Sequence, residues 1–165
     1  MLITLVSSVD EPRHNAVNTR ARFTTTLAQP LRLRGPFSRA CVYSVICPRD
    51  WAYADGPPAA DSRFILSCDL FRSRALIGHL DHRIASPDPL NDAIFAFVPE
   101  PAQSNGQSKE YTKQFLEWHR LNLGPDLHAI TVAITDSTGK DIVFNKGTVI
   151  VTLDLQQQDD EQQQQ

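Results

Sequence analysis

Two stretches near the end of this chain alternate apolar and polar side chains, and that alternation restricts the fold more than any other feature. Leu127 to Thr135 reads LHAITVAIT, and Thr148 to Leu155 reads TVIVTLDL. A period of two sends successive side chains to opposite faces, so each run predicts a strand with one buried face. Asp136-Ser-Thr-Gly-Lys140 and Asn145-Lys-Gly147 lie between them and carry turn chemistry. The expectation is a β-meander in which Val149, Val151, Leu153 and Leu155 face inward. Thr148, Thr152 and Asp154 face outward, and Ile150 is the apolar exception on that outer side.

The same grammar runs through the rest of the chain. Leu2 to Ser7 predicts a first strand. From Arg20 to Leu27, Ala21, Phe23, Thr25 and Leu27 share one face, and Arg20, Arg22, Thr24 and Thr26 the other. Leu31 and Leu33 oppose Arg32 and Arg34 in the same way, before a turn at Gly35-Pro36. Phe37 to Cys47 is apolar on both faces apart from Arg39, which predicts a central strand covered on both sides. Residues 48–62 read as a loop, because Pro57-Pro58 cannot join a sheet interior. Arg63 to Leu70, Ala75 to Gly78 and Ile94 to Val98 predict further strands, and Pro99 to Glu110 the least ordered internal stretch. Tyr111 to Leu121 fits a helix or a strand by spacing, and its surroundings favour a strand.

About eight short strands and no long helix amount to an all-β fold. Small all-β proteins hide their sheet edges by sandwiching or closing, so a single jelly-roll (Greek-key) sandwich over residues 1–155 is expected. Gln156 onward reads QQQDDEQQQQ, an acidic low-complexity run without apolar anchors, expected to be a disordered tail over 156–165.

The 165 residues fit one domain with a real core. A net charge of −3 excludes a globally basic nucleic-acid binder. The charge is uneven: residues 1–90 hold 11 Arg against 8 acidic residues, and residues 91–165 hold 5 Lys or Arg against 11. Such a split suits either an ordinary surface or a protein set between a polyanion and another partner. Three cysteines without CxxC spacing imply neither zinc nor a disulfide framework, and point to a reducing compartment. Met1 to Val6 is too short and too uncharged at its start for a signal peptide, and no apolar run approaches a membrane span.

Residues with chemical potential are few. Strand alternation sets Arg20 with Arg22, and Arg32 with Arg34, about 7 Å apart on one face, a spacing that tracks phosphates. A solvated face, or salt bridges to the acidic half of a neighbouring subunit, explains them more simply. Trp51 and Tyr53 sit in an aromatic, proline-rich loop that is either an exposed interface anchor or a cap on the sandwich end. His79-Leu-Asp-His82 is the densest group of metal-ligand types, but it lacks a third placed ligand and a helix. His128 shares parity with Ile130, Val132 and Ile134, at the rim of the core, and His119 reads as a structural histidine. No GxSxG, GxGxxG or P-loop pattern occurs, and no cofactor or metal is expected.

Several blocks together resemble one family. Phe23-Thr-Thr-Thr-Leu27, Pro30-Leu-Arg-Leu33, Gly35, Ala40-Cys-Val-Tyr43, Pro48 and Trp51 form the first. Cys68-Asp69-Leu70 with Gly78 is the second, and Asp136, Gly139, Phe144, Gly147 and Val149-Ile-Val-Thr-Leu153 are the third. The pattern resembles the penton-like minor capsid proteins of Polinton/Maverick elements and adinto-like viruses of animals. Phe37 stands where that block usually has Trp, and Asp154-Leu155 where it usually closes His-Phe-Arg. The resemblance implies a single jelly roll in the virion, made inside the host cell and assembling as a homopentamer at capsid vertices. Its partners are then its own copies and a double-jelly-roll major capsid protein, with packaged DNA or a host receptor as further candidates.

Three functions are therefore weighed. The first is a non-enzymatic capsid protein, with Arg20, Arg22, Arg32, Arg34, Trp51, Tyr53 and Ile150 as contact candidates. The second is a receptor- or glycan-binding β-sandwich head, marked by aromatics from loops 48–62 and 99–110 converging on a groove. The third is a cupin-like metal enzyme, which needs several His and a Glu pointing into the barrel.

Overall fold

The computed structural model describes residues 1–7, 18–31, 39–56, 62–71, 95–99, 109–120 and 127–156. The predicted strand at 75–78, the His79–His82 pair, Arg32, Arg34, Phe37 and residues 157–165 of the tail lie outside them, as does most of the 99–110 loop.

The described residues form eleven antiparallel strands and one short 3-10 turn, with no α-helix. They are β1 (Leu2–Val6), β2 (Arg22–Leu31), β3 (Arg39–Pro48), β4 (Trp51–Ala52), β5 (Phe64–Cys68), β6 (Phe95–Phe97), β7 (Glu110–Gln114), β8 (His119–Arg120), β9 (Leu127–Thr135), β10 (Val143–Phe144) and β11 (Ile150–Gln156). One sheet runs β1-β11-β3-β7, with β8 also on β3, and a second runs β2-β9-β5-β6. A two-stranded ribbon joins β10 to β4. The fold is an all-β sandwich, as expected.

The sheets face one another across a single apolar core. Leu5, Val45, Val151 and Leu153 from the first sheet and Phe23, Phe64, Leu66, Ile130 and Val132 from the second are fully or almost fully buried in it. Each such side chain contributes roughly 1.5–3 kcal/mol on burial. Aromatic rings fill one end: Phe64 meets Phe97 at 5.7 Å and Phe144 at 6.2 Å, both edge to face.

Pairing follows a nested rule. Setting aside the two-residue strands β4, β8 and β10, the remaining eight pair first with last (β1·β11), second with seventh (β2·β9), third with sixth (β3·β7) and fourth with fifth (β5·β6). A long antiparallel hairpin, rolled up, has this order.

Three sequence expectations are corrected. The closing meander does not form, because β9 and β11 belong to opposite sheets. The turns between them, with β10, carry the chain from one sheet to the other. The inward parity of Val149, Val151, Leu153 and Leu155 nevertheless holds, all four being buried.

Second, β3 is central but not covered on both sides. A β-bulge explains its pattern: Thr152 pairs with Ser44 but Leu153 with Val42, which leaves Tyr43 as an extra residue. The inward set is Val45 and Cys47 on one side of the bulge and Val42 and Ala40 on the other. Tyr43 itself is 43% exposed. Third, Gln156 belongs to β11, opposite Arg39, where its Oε1 accepts from the guanidinium at 2.9 Å.

Candidate functional site

The most constructed part of the molecule is a corner where three distant segments meet. β3 ends at Pro48, and after two intervening residues Trp51 and Ala52 pair with Phe144 and Val143. Asn145 fastens the corner: its N–H donates to the Asp50 carbonyl at 3.0 Å and its amide to the Asp50 carboxylate at 2.9 Å. Gly147 has φ +82°, and a Cβ there would stand 2.9 Å from Cγ of Pro48. Its carbonyl accepts from Nε of Arg20 at 3.0 Å. Pro48 and Trp51 of the first sequence block thus touch Gly147 and Phe144 of the third.

Trp51 and Tyr53 face into this corner. Trp51 meets Phe64 edge to face at 4.8 Å, Tyr53 meets Trp51 at 5.2 Å, and both pack on the core half-buried. The Tyr53 hydroxyl donates to the Ser62 carbonyl at 2.8 Å. Both rings pack on the core as a cap on the sandwich end does, and each keeps part of its surface exposed. Lys140 also pairs with Asp55 beside the loop.

The next turn is organised by Asp136, which is buried. One carboxylate oxygen accepts from the Thr138 N–H (2.7 Å), the Thr138 hydroxyl (2.6 Å) and the Lys140 N–H (3.1 Å). Burial pushes this acid up, but Thr138, the two backbone N–H donors and the Lys140 charge together outweigh it and hold the pKa below the ordinary value. Gly139, with φ +84°, closes the turn by donating to the Asp136 carbonyl. The Asp-x-x-Gly pattern is accounted for as an Asx-type turn.

Of the four candidate arginines, the two described ones, Arg20 and Arg22, are engaged within the chain. Arg22 forms a forked ion pair with Asp141, Nη2 to Oδ1 at 2.7 Å and Nε to Oδ2 at 3.0 Å. The acidic half of the same chain neutralises it, which leaves the solvated-face and phosphate-tracking readings without Arg22 as a free cation. Arg22 also borders a shallow depression on the outer face of the second sheet, with Ser67, Asp69, Thr131 and Ala133. Asp69 is a residue that sequence reasoning passed over: its carboxylate accepts the Thr131 N–H at 2.9 Å and ties the end of β5 to β9. Its place in Cys68-Asp69-Leu70 was the available signal.

The outer face of the first sheet has a different character. Val6 pairs with Ile150 and Ile150 with Ile46, which sets three β-branched apolar side chains in one row across β1, β11 and β3. The neighbouring row is Thr4, Thr152 and Ser44. Ile150 is half-buried and lies on the outer side, as its parity required. Tyr43, Leu116 and Trp118 add exposed apolar surface near the bulge, where the Arg39 guanidinium stacks 4.9 Å from the Trp118 ring.

Nucleophile and metal chemistry find little support among the described residues. Cys41, Cys47 and Cys68 are all buried and free. Burial pushes the thiols of Cys47 and Cys68 up to about 12. Cys41 lies on the other face from Cys47, because the bulge between them reverses parity. His119 packs edge to face on Phe71 and Phe95, at 5.6 and 5.4 Å, with its buried Nε2 unpartnered. His128 is exposed, beyond the core rim where its parity suggested it would sit. No group of three metal-ligand side chains occurs among the described residues. No helix among them is long and apolar enough to cross a membrane. Comparison with protein families, with curated proteins and with solved structures finds no match.

Proposed function

We propose that this chain is a non-enzymatic capsid protein: a penton-like single jelly roll that assembles as a homopentamer at capsid vertices. The observation that carries the proposal is the nested pairing of the eight longer strands, first with last through fourth with fifth. Two Greek keys wound into facing sheets have this order, and it is the order of a jelly roll. The sequence resemblance supplies the role, and the corner supports the resemblance. Its first and third blocks, about a hundred residues apart in sequence, meet through Trp51·Phe144 and Pro48·Gly147.

On this reading the work is geometric. The sandwich is a rigid wedge whose faces contact neighbouring copies and a double-jelly-roll major capsid protein. Arg20 and Arg22 then serve as braces within the wedge, and Ile150 with its row offers contact area. The loop aromatics Trp51 and Tyr53 support the core, which removes them from the groove that the glycan-binding alternative requires.

Proteomics of particles purified from cells that carry the gene tests the proposal. The chain is expected in the particle fraction, at five copies per vertex relative to a double-jelly-roll capsid protein encoded nearby. Its absence from such particles, or a stoichiometry equal to that of the major capsid protein, overturns the vertex role.

A further inference from the structure

Among the described strands longer than two residues, four stand at sheet edges, and three of them carry features that discourage pairing with another chain. β7 (EYTKQ) bears Glu110 and Lys113, β2 bears Arg22 and Pro30, and β6 is three residues long. β1 reads LITLV, five residues without a charge or a proline. It pairs with β11 alone among the described strands.

The backbone of β1 has a definite open side. The Met1 carbonyl accepts from the Leu155 N–H at 2.8 Å, and the Ser7 N–H donates to the Val149 carbonyl at 2.9 Å. Odd-numbered residues therefore turn their backbone groups toward β11. Strand alternation turns those of Leu2, Thr4 and Val6 the other way, along the edge that no described strand covers. Their side chains lie on the outer face and are exposed, Leu2 at 63% and Val6 at 40%.

We propose that this edge pairs with β1 of a second copy, antiparallel and about a two-fold axis at Thr4. The segment is self-complementary in that register. Thr4 meets Thr4 of the other copy and exchanges both hydrogen bonds with it, while Leu2 meets Val6 and Val6 meets Leu2. On the inner side Ile3 meets Leu5. Every pair is apolar with apolar or threonine with threonine, the cross-strand pairs that stabilise a sheet. A two-fold contact is isologous, so one uncharged patch serves both copies. It joins the β1-β11-β3-β7 sheets of two copies into one continuous sheet and extends the Val6·Ile150·Ile46 row across the axis. The contact does not depend on the capsid reading. In a pentamer it links copies from different rings, and without one it makes a dimer.

The test uses the full chain and four variants, one of them a control. Thr4→Pro removes an N–H that points to the free edge, so it costs no ladder bond to β11. Thr4→Lys keeps the backbone and sets like charges opposite each other. By sedimentation equilibrium, Thr4→Pro and Thr4→Lys are each expected at half the mass of the wild-type particle, whatever that mass is. Under mild oxidation Thr4→Cys is expected to form a disulfide-linked dimer, because Cα atoms of a hydrogen-bonded antiparallel pair stand about 5.5 Å apart. Thr152→Cys, one strand further in, is the control and stays uncrosslinked. Unchanged mass in the folded variants, with no crosslink at position 4, overturns the proposal. A ring reading that fails alone looks different: Thr4→Lys then runs as a single chain and wild type as two.

Discussion

Asp136 shows how much a single side chain decides here. Its one oxygen accepts three hydrogen bonds in a turn of five residues. Its folded-state pKa lies below the ordinary 3.8, so the charged form is the stabilising one. The stabilisation is full above the unfolded-state value and is lost as pH falls through the lower folded-state value. Asp136→Asn is expected to cost roughly 1 kcal/mol at neutral pH. Urea unfolding from about pH 6 down to about pH 2 should show the gap to wild type narrowing only at the acid end. Gly147 is equally constrained. Gly147→Ala combines a left-handed φ with a contact on Pro48 and should cost about 1–3 kcal/mol, whereas Gly56→Ala, at φ +86° in open space, should cost about 1 kcal/mol. The thiols give a third expectation. Native protein should resist iodoacetamide at neutral pH, with Cys41 first to react and Cys47 and Cys68 reacting only on unfolding. Mass mapping of the alkylated peptides reads the order. Gly139 and Gly147 were legible from local sequence, since turn chemistry is local. The partner of Arg22 was not, because Asp141 lies 119 positions away and only the fold brings them together.

At the scale of elements, β1, β2 and β11 could be read from alternation because each has one buried and one wetter face. β3 could not be read fully, since its bulge exchanges the faces at Tyr43. A strand with an internal parity switch has apolar residues on both nominal faces and resembles one covered on both sides. The two-residue strands β4 and β10 carry no period at all, so sequence presented them as loop. The separation of β9 from β11 was likewise hidden, because alternation identifies a strand but not the sheet it joins. The corner built by β4 and β10 should be worth measuring. Trp51→Ala removes a half-buried ring that meets Phe64 and Tyr53, and should destabilise by roughly 2–4 kcal/mol in guanidinium unfolding. A loss below about 0.5 kcal/mol, the range of ordinary surface changes, would return this loop to the status of a free interface anchor.

The described residues form two sheets on a common core, with Asp136 organising a turn and the Arg22–Asp141 pair bracing the fold. That arrangement suits a building block. It also explains why chemistry was hard to find in the sequence: the family-like blocks mark a corner, a turn and a strand end, all of them structural. On the proposed assembly the faces that meet neighbours are completed by other copies, so the chain alone does not reveal them. The proposed assembly of this sandwich is a ring of five. Native mass spectrometry of the full chain carrying Thr4→Lys, which silences the β1 edge, tests it most directly. A species of five chains that persists on dilution is expected; a single chain at every concentration contradicts the ring.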